Sequence, residues 1–381
     1  MKQAKFFNFT AAQIEFKYQV DRFVKKEIRP FAQQWDQQKE CPLEIIKKLG
    51  ELEYLRAGFP ESVDGIGGTV DQLLLIEGLA AGSAGVALCV YVHIGLACAA
   101  LEALGDGEQQ ERYLKPALKG EKIGCWAYAE PDAGADITSV QLSALEDGDS
   151  YVLNGSKLYI TNGTIADFAV VVARTSDAPG LNGISLFIVE KDQEGFSSKE
   201  MAKLGMRSSK LAELFFKDCR VPKKQLLGPL DSGFRLSIKV LSKGRALASA
   251  FAVGMGMEAL RQTVEYTKLR QQGGGPLTRQ QYIRFTLADM ETRLEAARLM
   301  AYSTADLIDK EQPFDLECSI AKLFSTETLT WCCERALHLH GAYGYMMDSD
   351  IQRLYRDCKV LEFGEGTSEI QREMISGYLL R

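Results

Sequence analysis

Apolar positions in the first third of the chain recur at helical spacing. Val20, Phe23, Val24, Ile28 and Phe31 form one stripe, and Pro30 ends or kinks that run. Thr10 and Gln13 ahead of it make a capping box. Leu43, Ile46, Leu49 and Leu52 form a second stripe. Leu101, Leu104, Tyr113, Leu114 and Leu118 form a third, broken at Gly105-Asp106-Gly107. The most apolar window, 82–100, holds Ser83, Tyr91, His93 and several small residues, and reads as a buried helix rather than a membrane span. Near Gly124 the period changes. Residues 151–160 read as a hairpin turning on Asn154-Gly155. Residues 168–173 and 184–189 are short β-rich runs, and Leu214-Phe215-Phe216 adds a strand that ends before Val221-Pro222. The helical period returns from Ser232 and dominates 286–309 and 315–340. The predicted architecture is α+β and mostly α. It has a helical domain over 1–122, a central β-barrel-like or β-sandwich domain over 123–231, and a C-terminal four-helix bundle over 232–381.

Length and composition fit this layout. A chain of 381 residues suggests two or three domains, and 46% hydrophobic with 25% charged residues is ordinary for a soluble protein with a core. The net charge is −6 and no Lys/Arg block is present, which argues against a nucleic-acid partner. Nine cysteines, an odd number without C-x-x-C spacing, read as free thiols in a reducing compartment. Three histidines do not suggest a metal site. The N-terminus lacks an apolar stretch with a cleavage site, so the expectation is a cytoplasmic protein without membrane insertion. Gly254-Met255-Gly256-Met257-Glu258-Ala259 matches a dinucleotide fingerprint only formally. It lies inside a predicted helix, where small residues serve packing.

The candidate chemistry lies near the C-terminus. In Phe363-Gly364-Glu365-Gly366-Thr367-Ser368-Glu369-Ile370-Gln371-Arg372, one carboxylate sits between two glycines ahead of Thr367, a helix N-cap candidate. A desolvated carboxylate there could act as a general base. Other segments precede it in a set order: Trp126 to Asp136, a loop with turn chemistry at Pro131 and Gly134; then Leu153 to Gly163; Leu204-Gly205-Met206-Arg207-Ser208-Ser209; Arg220-Val221-Pro222; Gly244-Arg245; Arg270-Gln271-Gln272; and Arg356-Asp357. In this order and spacing, across essentially the whole chain, the sequence resembles the acyl-CoA dehydrogenase family.

The resemblance implies a homotetramer built from dimers, or a homodimer, that binds FAD between the β and C-terminal domains and desaturates an acyl thioester. Glu365 takes the place of the residue that removes the α-proton. The family's alternative base position falls at Gly244, which leaves Glu365 as the sole candidate. By the same comparison Tyr128, Ala129, Ala135, Tyr159, Thr161, Thr367 and Glu369 are flavin contacts. Arg270 and Gln272 reach a neighbouring subunit's flavin diphosphate, and Gln281, His338, Gly341 and Ala342 are further cofactor positions. Ala135, Ser242, Arg245 and the backbone of Gly366 are substrate contacts. The substrate is an acyl-CoA, short to medium chains favoured, and the expected redox partner is electron-transferring flavoprotein. The sequence departs from the family at Ala129, Ala135, Ser242, Gly273, His338 and Ala342, which keeps an acyl-carrier-protein thioester open as the substrate. Two further alternatives are a flavin oxidase or monooxygenase relative, which retained Glu365 and the chain length oppose, and a non-enzymatic interaction protein.

Overall fold

The computed structural model describes residues 7–380. The first helix, α1 (Ala11–Phe23), opens on the expected capping box. Thr10 Oγ1 accepts from the Gln13 N–H, and the Gln13 side chain returns the bond to the Thr10 N–H. Around Pro30 the helix loosens into a π turn and then a 3₁₀ turn, so proline perturbs the run without ending the helical layer. Helix α2 (Thr69–Gly82) has no polar face because neighbours bury it on all sides, the long C-terminal helix among them. Its first turn is capped from a distance: Asp309 accepts the N–H groups of Thr69 and Val70 at 2.6 and 3.2 Å. Helix α3 (Ala84–Val92) runs on through His93–Cys98 to Leu104. That stretch is apolar and long enough to cross a membrane, but its most apolar 18-residue window is 94% buried inside the molecule.

The middle of the chain forms one mixed sheet. Its strands are β1 (Gly124–Ala127), β2 (Ser143–Asp147), β3 (Ser150–Thr161), β4 (Phe168–Arg174), β5 (Ile184–Glu190), β6 (Phe196–Glu200), β7 (Leu211–Pro222) and β8 (Leu226–Leu227). Their order is β6-β7-β3-β2-β4-β5-β8, with β1 beside β4. β2 and β4 meet at a single residue pair, Ser143 with Arg174, so the sheet is two leaves folded over a common core. β4 and β5 are apolar along nearly their full length because both faces are covered. Val171, Phe187 and Val189 face the core between the leaves, while Val170, Leu186 and Ile188 belong to the helical core.

Two strand expectations need correcting. Asn154-Gly155 is not a hairpin turn but lies within the continuous strand β3, where the register against β7 shifts and Gly155 takes φ +140°. The hairpin is made instead by Gly148-Asp149, which joins β2 to β3 with Gly148 at φ +60°. The strand through Leu214-Phe215-Phe216 also does not stop before Val221-Pro222. It runs on to Pro222 because its partner β3 continues alongside, down to Ser150.

The C-terminal part is a helical bundle of α4 (Gly233–Leu269), α5 (Gln281–Asp309), α6 (Asp315–His340) and α7 (Ser368–Leu379). The glycines of the false fingerprint sit inside α4. A Cβ on Gly254 would lie 2.2 Å from the Glu77 carbonyl oxygen, and one on Gly256 2.4 Å from Leu294 Cδ2, so both glycines serve close helix packing.

Candidate active site

Glu365 sits on the loop before α7. Thr367 caps that helix, its hydroxyl accepting from the Ile370 N–H at 3.3 Å. The backbone strain falls where the sequence did not place it. Of the flanking glycines only Gly366 takes positive φ, at +84°, while Glu365 itself is left-handed at +57°. A non-glycine residue held there costs on the order of 1 kcal/mol and persists only when its surroundings fix it.

Three elements converge on the carboxylate. The first is α4, the helix of Gly244 and Arg245: a Cβ on Gly244 would lie 3.1 Å from Glu365 Oε2 and 3.3 Å from Leu96 Cδ2. The second is α3, whose buried Tyr91 faces the carboxylate and donates its hydroxyl to the Gly244 carbonyl at 3.2 Å. The third is α6, from which Lys322 approaches. Burial pushes the Glu365 carboxyl up, against the opposing pull of Arg245, Tyr91 and Lys322. Burial and the neighbouring carboxylate likewise raise Tyr91 well above its ordinary value. Arg245 is itself buried. Its Nη1 donates to Ser242 Oγ at 3.2 Å, and its Nε finds no partner among the described residues. Among the described residues the N–H groups of Glu365 and Gly366 also meet no protein acceptor, so the loop offers two free donors beside a desolvated carboxylate.

The loop after β1 is held by a buried ion pair. Lys157 Nζ lies 2.7 Å from Glu130 Oε1 and 2.9 Å from the Tyr128 carbonyl, and Glu130 also accepts the N–H groups of Gln141 and Leu142. Tyr128 stacks on Phe234 at 5.7 Å and donates to the Gly134 carbonyl at 2.6 Å. Ala129, which lacks a side-chain hydrogen bond, engages through its carbonyl, accepting from the Leu158 N–H at 2.7 Å. Ala135 lies exposed further along the loop. On β3, Tyr159 sits at φ +60° and is 62% exposed, two residues before Thr161 at the strand's end. An outward aromatic face fixed by a strained backbone suits a planar ring system. Glu369 is exposed in the first turn of α7, where its own backbone N–H and the Thr367 hydroxyl draw its carboxyl down.

A second group of sequence candidates gathers elsewhere. Arg270, Gln272, His338, Gly341 and Ala342 line a cleft of about 540 Å³. Gln281 is outside that lining although its neighbours Tyr282 and Ile283 are in it. Sequence reasoning missed the aromatic wall: Tyr266 stacks on His340 at 4.3 Å and on Tyr343 at 5.6 Å with nearly parallel planes. The departure at Gly273 has a local cause. Gly273 and Gly274, at φ +60° and +82°, form the two-residue turn between Gln271–Gln272 and Gly275–Pro276. A guanidinium beside stacked rings fits the phosphates and base of a dinucleotide.

The chain is similar to known proteins along nearly its whole length. The family described as "Acyl-CoA dehydrogenase, N-terminal domain" matches residues 10–121. The middle domain of the same family matches 125–219, and its C-terminal domain matches 231–380. The mitochondrial short-chain specific acyl-CoA dehydrogenase of Rattus norvegicus is 38% identical over 94% of this chain and 88% of its own. The solved butyryl-CoA dehydrogenase of Megasphaera elsdenii superposes with a TM-score of 0.95 at 35% identity, covering 98% of this chain and 100% of its own. Two solved structures with other printed descriptions share the fold. The prolyl acyl carrier protein oxidase AnaB has a TM-score of 0.93 at 30% identity, covering 98% and 100% of the two chains. The FAD complex of PigA has a TM-score of 0.94 at 28% identity, covering 98% of each.

Proposed function

The chain belongs to the acyl-CoA dehydrogenase family, and from that premise we propose that it desaturates short- to medium-chain acyl-CoA thioesters with Glu365 as the base that removes the α-proton. It is an oxidoreductase acting on CH–CH groups, and its cofactor is FAD. The observation that carries the base assignment is the Glu365 carboxylate turned against Gly244, Tyr91 and Arg245, in surroundings that push its proton affinity up.

The residues divide the work as follows. The thioester carbonyl is held by the unpartnered N–H groups of Glu365 and Gly366, which stabilise the charge that develops as the α-proton leaves. Arg245, oriented by Ser242, holds the ligand's polar part. Tyr128, Ala129, Ala135, Tyr159, Thr161, Thr367 and Glu369 hold the flavin, with the Ala129 carbonyl kept on the Leu158 N–H. Arg270, Gln272, His338, Gly341 and Ala342, with Gln281 nearby, receive the diphosphate end from a neighbouring subunit of a homotetramer. The chemistry supplied by bound FAD is acceptance of the β-hydrogen as hydride. Substrate filling the pocket excludes water and strengthens the base. The electron acceptor that would serve this chain is electron-transferring flavoprotein, the family's usual partner. Nine free, buried cysteines support a reducing, cytoplasmic setting.

One observation favours a second reading of the carrier. A structure of the same fold at 30% identity is described as acting on a carrier-protein-bound prolyl group, and Ala135 and Ser242 depart from the family's usual substrate contacts. Anaerobic flavin bleaching with butyryl-, octanoyl- and palmitoyl-CoA, beside a butyryl group on a phosphopantetheinyl carrier protein, separates the two. Fast bleaching by butyryl-CoA is expected. Bleaching by the carrier-bound thioester alone would overturn the CoA assignment.

A further inference from the structure

The carboxylate of Glu365 is useful only while the left-handed backbone beneath it is held, and two buried side chains hold it. Lys322 of α6 is fully buried, and its ammonium donates to the Gly366 carbonyl at 2.7 Å and reaches the Glu362 carbonyl at 3.5 Å. Gln371 of α7, also fully buried, donates through Nε2 to the carbonyls of Glu365 at 3.0 Å and Gly366 at 3.1 Å. The bonds of this turn therefore run to its carbonyls, and the planar trans peptide sends the N–H of the next residue, Gly366 after Glu365 and Thr367 after Gly366, to the other side. Gly366 is required for the grip. A Cβ there would come within 2.8 Å of Gln371 Nε2.

We infer that Lys322 and Gln371 are the positioning residues of the base: they grip the carbonyls of Glu365 and Gly366, fix the left-handed turn, and so aim the carboxylate and the free Gly366 N–H at the thioester. This rests on Glu365 being the base. Lys322 adds a second effect that Gln371 lacks, a buried positive charge facing Glu365. Arg245 from α4 and the Tyr91 hydroxyl from α3 face the same carboxylate, and Glu362 and Glu369 lie around the ammonium. Burial draws the Lys322 ammonium down to about 8, against the attraction of Glu365. An ammonium that shares its burial with a carboxylate favours the ionised base. Its removal therefore favours the protonated form and moves the working limb to higher pH.

Acetyl-CoA tests this without redox chemistry. It carries α-hydrogens but no β-carbon, so exchange of its α-hydrogens with solvent deuterium reads the base step alone. The flavin-loaded protein and its Lys322→Met, Gln371→Met and Glu365→Gln variants are compared from pH 5.5 to 9, with the visible flavin spectrum and thermal melting as checks of folding. Lys322→Met is expected to exchange about tenfold more slowly at pH 7, with its limb displaced to higher pH. Gln371→Met leaves the charge in place, so the test stays open should the lysine variant fail to fold. It is expected to slow exchange at every pH without moving the limb. Parent-like rates and limbs in both variants, with Glu365→Gln silent, overturn the positioning role and leave the base assignment standing. Continued exchange by Glu365→Gln overturns the base assignment itself.

Discussion

The pocket around Glu365 and the cleft around Arg270 are built in opposite ways. At Glu365 the polar groups are packed inside the chain. Tyr91, Arg245 and Lys322 come from three helices, and a strained backbone is gripped through its carbonyls. Around Arg270 the polar groups face outward. Arg270 and Gln272 are exposed, and of the Tyr266–His340–Tyr343 stack that lines the cleft the Tyr343 end is exposed. On the proposed function the first is a preorganised reaction centre, and the second receives the part of a flavin that a neighbouring subunit would present. Damage to the first should therefore appear in chemistry, and damage to the second in cofactor retention.

The largest effect expected is at the centre. Glu365→Gln keeps the shape of the side chain and removes the base, so anaerobic bleaching by butyryl-CoA should slow by about 10³-fold or more while flavin remains bound. A variant that loses flavin instead would erase the contrast between the two regions. Arg270→Met should do the reverse. Losing one charge-assisted contact costs on the order of 2 kcal/mol, or about thirtyfold in flavin affinity. Flavin fluorescence titration of the apoprotein reads this. At saturating flavin, acetyl-CoA α-exchange should match the parent, since Arg270 is not among the groups around Glu365.

The contrast was only half visible in the sequence. Glu365, Gly244, Arg245 and Ser242 are legible because each lies in a local motif, and the fold only has to bring the motifs together. Tyr91 and Lys322 are not legible that way. Tyr91 falls in a window whose apolar character says only that it is buried. Lys322 sits among Cys318, Ser325 and Leu329 on a buried stripe of α6, and an isolated charge on such a stripe is the one signal that could have flagged it. The cleft's Arg270 and Gln272 are legible by position, but its aromatic wall depends on how α4 meets the end of α6. The helices themselves follow from periodicity, and α6 spans the expected residues. The hairpin error has the same origin as the missed residues. Asn154-Gly155 and Gly148-Asp149 both carry turn chemistry, and only pairing with β7 decides that the first stays inside a strand.

The smallest of these effects is the most diagnostic of how the centre is tuned. Tyr91→Phe removes a hydroxyl that faces Glu365 and leaves the ring packed against Phe251. When the one Tyr91 hydroxyl proton turns from the Gly244 carbonyl to the ionised carboxylate, it holds the Glu365 proton affinity down, so its loss should raise that affinity. The base acts deprotonated, hence the exchange limb should move to higher pH. Near pH 6 the rate should fall about threefold, the effect of one neutral donor, and at pH 9 parent and variant should coincide. Profiles of acetyl-CoA exchange measure this directly. A limb displaced to lower pH would mean that the tyrosine opposes the charge, and that Arg245 and Lys322 alone hold it against burial.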